Sequence, residues 1–203
     1  MIKYSRIERE NNGGSYIMEI IETEKKQGKG PLVLVHICCG ICASSVMGRL
    51  KEENYDVMGF FYNPNIHPIE EYEKRLEVTR YVSKVLGFKL IEAAYDDGQW
   101  FKLTGGYENE PEGGKRCEVC FKIRLEETCK ISKEMNIPFF TTTLTVSPHK
   151  NACIINNTGK EVDIRRFLER DFKKKDGFKR AIEFSRKHDL YCQNYCGCIY
   201  GAR

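Results

Sequence analysis

Three groups of cysteines carry the chemistry of this chain. Cys38, Cys39 and Cys42 form a C-C-x-x-C run, Cys117 and Cys120 a C-x-x-C, and Cys196 and Cys198 a C-x-C with Cys192 just upstream. Thiolates in such spacings hold iron–sulfur clusters or zinc, or act as dithiol redox centres. A cubane needs four thiolates at its corners. Cys117 and Cys120 can supply one pair and the C-C-x-x-C run the other. Tetrahedral zinc uses similar spacings, but adjacent cysteines span two corners of a large cluster more easily than two faces of one small ion, which favours iron–sulfur. The cysteines of Cys196-Gly197-Cys198 are too close in sequence to look like a ligand pair; the spacing suits a strained, reducible disulfide, two free buried thiols being the alternative. Cys129 and Cys153 read as small buried hydrophobes.

The elements that must position these thiols follow from the hydropathy pattern. Residues 1–30 read as an N-terminal extension, with a short helix or strand at 15–22, and residues 31–203 as a single domain. Leu32 to Ile37 is a buried-strand run that ends on Cys38, with a helix expected over 43–51. A second strand is expected at 56–62, a long amphipathic helix at 69–86 and a third strand at 88–93. A loop is expected at 95–116, then a helix at 120–135 and a fourth strand at 137–144. Strands separated by helices predict βαβ units. The expected fold is α/β, a Rossmann-like parallel sheet flanked by helices, with a mainly helical C-terminal third. In such sheets the binding crevice lies beyond the carboxyl ends of the strands. That places the first cysteine group at the functional edge, and two helix N-termini facing a cluster would favour its negative charge. Gly40 would let the backbone turn closely around it.

Composition narrows the class. The hydrophobic fraction of 41% supplies a core, and a net charge of +4 is too mild to imply nucleic acid by itself. Pro31 to Cys39 is too short to cross a membrane, which takes about 20 residues, and no secretory signal is visible. A cytoplasmic protein is expected, with no membrane partner, where clustered cysteines bind metal or catalyse rather than form a disulfide scaffold. The cations concentrate between Arg165 and Lys187. Lys173, Lys174, Lys175, Lys179, Arg180, Arg186 and Lys187 alternate with Phe172, Phe178 and Phe184. The stretch reads either as a nucleic-acid face or as an amphipathic helix with solvated lysines. Lys150, Arg165 and Arg166 are further phosphate candidates.

Four motifs in order, His36-Ile37-Cys38-Cys39-Gly40-Ile41-Cys42, Arg116 to Phe121, Thr141 to Leu144 followed by Ser147-Pro148, and Tyr195 to Cys198, resemble the QueH family of epoxyqueuosine reductases. The resemblance runs from about residue 32 to the end and departs from the family at Ile41, where proline is usual. It implies that Cys38, Cys39, Cys117 and Cys120 bind a [4Fe–4S] cluster, and that Cys196 and Cys198 form a redox-active disulfide. It also implies reductive removal of the epoxide oxygen of epoxyqueuosine at the tRNA wobble position, with electrons from an unidentified donor. Cys42, Asp96 and Asp97 remain as surplus ligands and leave room for an additional mononuclear iron. The reaction needs an acid; Asp96 is the first candidate, then Asp97, His149 and Tyr107. His36 reads as a satisfied strand residue, and His67 and His188 as surface or capping positions. Two other readings compete. A Rossmann-like tRNA-thiolating enzyme would want a Gly/Ser-rich phosphate loop where Cys38 to Cys42 stand; a non-enzymatic zinc-binding RNA module would leave the C-x-C unexplained.

Overall fold

A computed structural model describes residues 3–11, 14–22 and 30–201. Four parallel strands form the centre of the fold: β3 (Leu32–His36), β4 (Asp56–Phe61), β5 (Lys89–Glu92) and β6 (Phe139–Thr142). Two more, β1 (Lys3–Asn11) and β2 (Gly14–Glu22), pair with each other, and β2 adds antiparallel to β5. The order across the sheet is β1-β2-β5-β4-β3-β6. The strand alternative for 15–22 is the one adopted.

Helices cover both faces of the sheet, so β3 is almost continuously apolar. Val33, Val35 and Ile37 bury one face of it against α1 (Gly40–Glu52) and α2 (Ile69–Leu86), through Val46, Met47, Leu50, Leu76 and Val82. The alternate residue Leu34, with Met58, Phe60 and Ile91, packs the other face against Leu125, Cys129 and Ile131 of α4 (Lys115–Glu134). The C-terminal third adds α5 (Ala152–Asp163) and α6 (Gly177–Lys187) before an irregular segment that carries the C-x-C.

Several boundaries differ from expectation, α1 starting at Gly40 rather than 43 and α4 at Lys115 rather than 120, and two of the differences have a clear physical reason. The expected loop 95–116 contains α3 (Gly98–Thr104), a helix too short for periodicity to reveal. Helices of this length depend on tertiary packing, and here the fully buried Trp100 anchors it. The last strand stops at Thr142, because Thr143–Val146 turns into a 3-10 helix with the Thr142 hydroxyl accepting from Leu144 N–H.

In the parallel part of the sheet, the strand order reverses direction between β3 and β6. The crevice outside such a switch point is where open α/β sheets bind ligands. Cys38 leaves the end of β3 there, and Thr143 leaves β6 beside it.

Candidate active site

The first cysteine group sits on the β3–α1 turn. The Sγ atoms of Cys38, Cys39 and Cys42 all lie within 4.8 Å of one another. Cys39 is the N-cap of α1, its sulfur accepting from Cys42 N–H at 3.5 Å, where a hydroxyl or carboxylate more usually caps. Gly40 has a reason other than the one expected: a Cβ there would stand 2.8 Å from the Val78 carbonyl oxygen, so glycine lets α1 start against the backbone of α2. Cys117 and Cys120 occupy the first turns of α4. Cys38 and Cys117 both pack on the cluster formed by Phe121, Leu144 and Ile155, while Cys120 and Cys198 pack with Trp100 and Ile123.

Two adjoining cavities join these groups. The wider, about 300 Å³, is walled by Cys38, Cys42, Cys196, His149 and Lys150 among others. The narrower, about 40 Å³, is walled by Cys117, Cys120, Cys196 and Cys198. Arg124, His149, Lys150 and Cys196 belong to both.

Hydrogen bonds test whether these thiols suit a thiolate-bound cluster. Thr143 Oγ1 donates to Cys38 Sγ at 3.2 Å, and Gln193 Nε2 to Cys39 Sγ at 2.9 Å. Gly113 N–H donates to Cys117 Sγ at 3.2 Å, and Arg124 Nη2 to Cys120 Sγ at 3.2 Å. Each of the four thus accepts a bond from a donor that is not a thiol, which suits charged sulfur and is a lever on a cluster's potential. Arg124 is itself buried and places a cation beside the group. The four residues therefore fit a [4Fe–4S] cluster in donor chemistry.

Electrostatics separate the thiols. Bonds from Cys39 and Cys42, then the charge of Lys150, hold Cys38 well below the ordinary thiol range. Burial raises Cys117. The bond from Cys198 lowers Cys196 to about 6, against the opposing effect of burial and with help from Lys150, while Cys198 is pushed up. All ten cysteines are free thiols in this structure. The expected disulfide between Cys196 and Cys198 is not formed; the two stand as neighbouring thiols, with Cys198 N–H donating to Cys196 Sγ at 3.4 Å.

The remaining predicted residues divide. Asp96 is exposed, its Oδ1 accepts Gly98 N–H at 3.0 Å, and it lies on neither cavity wall. Asp97 sits 3.7 Å from His67 Nδ1, and the Tyr107 carbonyl accepts from Arg116 Nη1 and Glu110 N–H. His149 does reach both cavities. His36 is satisfied, Nδ1 to Thr142 Oγ1 and Nε2 to the Tyr62 carbonyl, and burial lowers it to about 3. His67 is a correction: it is buried, bonded to the Tyr95 hydroxyl and packed on Trp100 and Phe101, because the loop after β4 folds inward under the C-x-C segment. His188 caps α6 as expected.

In the cationic stretch, Phe172 is core, Phe184 packs on His188, and exposed Phe178 lies on the wall of the wider cavity. Arg180 is paired with Glu52 and Arg166 donates to the Ile137 carbonyl, whereas Lys174, Lys175, Lys179, Arg186 and Lys187 are exposed. Sequence reasoning missed Arg124, Thr143 and Gln193 as partners of the thiols. Arg124 left a trace, four residues after Cys120 on the same helix face, and Thr143 lies in the Thr141 to Leu144 motif.

The fold and the site define a Rossmann-like α/β protein with a thiol-lined crevice at its switch point. The profile of the family described as "Epoxyqueuosine reductase QueH" matches residues 33–203. Similar relatives named epoxyqueuosine reductase QueH include one from Streptococcus pyogenes, 35% identical with 92% of this chain and 76% of the relative covered. Those of Haemophilus influenzae, at 34% with coverages of 96% and 80%, and Thermotoga maritima, at 32% with 83% and 88%, agree. The chain belongs to the QueH family of epoxyqueuosine reductases and is an oxidoreductase. Among the described residues, no helix is long and apolar enough to cross a membrane.

Proposed function

We propose that this chain reduces epoxyqueuosine to queuosine at the wobble position of a tRNA, in the cytoplasm, with a [4Fe–4S] cluster on Cys38, Cys39, Cys117 and Cys120. The observation that carries the reading is the set of donors on those four sulfurs, with Cys117 and Cys120 lining the narrower cavity beside Cys196 and Cys198, and Cys38 lining the wider one beside Cys196. A bound cluster would supply single-electron transfer. Cys196 and Cys198 supply the two-electron reservoir. The thiolate and the thiol give up two electrons and one proton and become a disulfide; with a second proton from an acid in the crevice, the epoxide loses its oxygen as water and becomes an alkene. An electron donor of unidentified nature then returns the pair to the dithiol.

Lowered Cys196 is the thiolate of the pair at neutral pH, and Cys198 keeps its proton. His149 is better placed than Asp96 to donate a proton, because it lies on both cavity walls. Lys150 brings positive charge to Cys38 and Cys196. Cys42 is the surplus thiol beside the cluster ligands and would be a ligand for an additional mononuclear iron. The tRNA is held by phosphate contacts from the exposed lysines of 174–187, with Phe178 at the cavity available to stack on a displaced base. Residues 1–30 are an extension of the reductase domain.

The test is anaerobic purification with iron and sulfide analysis, followed by an assay on tRNA bearing epoxyqueuosine. About four irons and four sulfides per chain, with turnover, are expected. Iron well above four would place the additional ion. A colourless protein with stoichiometric zinc would overturn the reductase reading in favour of the RNA-binding module.

A further inference from the structure

The C-x-C segment has no regular secondary structure, yet one buried cation ties it to α2. Arg75 is 3% exposed. Its Nη1 donates to the Cys196 carbonyl and its Nη2 to the Tyr195 carbonyl, both at 3.1 Å. Its Nε is held by Glu71 Oε1 at 2.7 Å, and its guanidinium lies 5.2 Å from the Tyr195 ring centre. Glu71 is fixed in turn by the Tyr191 hydroxyl at 2.7 Å, so residues before the C-x-C close back on the same pair. Asn65 Nδ2 adds a second donor to the Cys196 carbonyl at 3.4 Å, and His67 N–H bonds the Gly197 carbonyl at 2.8 Å. Gly197 has φ +99°, and a Cβ there would stand 3.1 Å from Arg75 Nη1 and 2.8 Å from Ile66 Cγ1.

We infer that Arg75 is a positioning residue for the redox pair: its bonds to the Tyr195 and Cys196 carbonyls hold the two thiols within hydrogen-bond reach of one another. This rests on the proposed redox role of Cys196 and Cys198. The guanidinium touches neither sulfur among the described contacts, so it acts through the backbone rather than by tuning a thiol's charge. Burial of Arg75 with Glu71 would be served by any fold that satisfied the pair. Spending two of its donors on consecutive carbonyls at the C-x-C is what gives the pair a role at the site. Holding two reacting groups close raises their effective concentration, so releasing the loop disfavours ring closure.

The experiment equilibrates wild type, Arg75→Gln and Arg75→Lys with glutathione and glutathione disulfide, and reads the Cys196–Cys198 disulfide by thiol trapping and peptide mass. In this exchange the two protein thiols reduce one glutathione disulfide to two glutathiones. In Arg75→Gln the equilibrium should move toward the dithiol roughly tenfold, about 30 mV for a two-electron couple. Its kcat should fall with KM for the tRNA unchanged, and Arg75→Lys should recover part of both. A folded Arg75→Gln that melts earlier but keeps the wild-type equilibrium and kcat would overturn the inference, because a purely structural arginine predicts that pattern. If Arg75→Gln does not fold, Tyr191→Phe loosens the same strut more gently; an unshifted equilibrium there overturns the inference, and a smaller shift in the same direction supports it. A wild type that never forms the disulfide fails before any substitution is made, and removes the redox-pair reading together with this one.

Discussion

Replacing Thr143 with valine should loosen the first cysteine group without changing its shape. The Thr143 hydroxyl is fully buried; it donates to Cys38 Sγ at 3.2 Å and accepts Cys38 N–H at 3.0 Å. Valine fills the same volume and removes both bonds. The stranded N–H costs about 1–3 kcal/mol and the lost O–H to sulfur bond about 0.5–1.5 kcal/mol. Relaxation and solvent recover part of this, so a net loss of about 2 kcal/mol is the working figure. For a chain of this size that lowers Tm by about 4–8 °C. The assay is a thermal melt of the reduced, metal-free protein, with iron uptake on anaerobic reconstitution as the second readout. Thr143→Ser keeps the hydroxyl and should bind iron as the wild type does. A Tm drop under about 1 °C in Thr143→Val, with wild-type iron uptake, would refute the assignment of Thr143 as the support of Cys38.

Other consequences can be measured separately. Alkylation of Cys196 by iodoacetamide, read by peptide mass, should rise with pH around a midpoint of about 6; a midpoint in the ordinary range of about 8.5 would refute its acidification. Folding stability should fall as pH drops below the ordinary histidine value of 6.5 toward about 3, because the unfolded chain protonates His36 and the folded one does not. The slope this adds is up to about 1.4 kcal/mol per pH unit, and a urea midpoint equally flat in wild type and His36→Asn between pH 6.5 and pH 4 would contradict it. Lys174→Ala should weaken tRNA binding and reduce the dependence of log K on log salt by about one unit; an unchanged slope would remove Lys174 from the interface.

Much of the fold could be read along the chain because single elements carry their own signal. The helix over 69–86 is recovered with both its ends, since a long amphipathic period and a following glycine need no partner to be recognised. Short elements such as α3 were invisible, because one buried tryptophan holds them and burial is not written locally. The same division runs through the site. The cysteine spacings bring Cys38 and Cys39 to a strand end and Cys117 and Cys120 to a helix start, as local geometry requires.

What the thiols touch was decided elsewhere. Thr143 reaches Cys38 across 105 residues, Gln193 reaches Cys39 across 154, and Arg75 reaches Cys196 across 121. Asp96 shows the converse: it follows a strand as the other site loops do, yet it bonds the start of α3 instead of turning into the crevice. Residue type and spacing determined which chemistry this chain can perform, because thiolate ligation depends on local sequence. Only the tertiary structure decided which donors surround each sulfur and which carbonyls a buried arginine holds, because those contacts exist only once the sheet brings distant segments together.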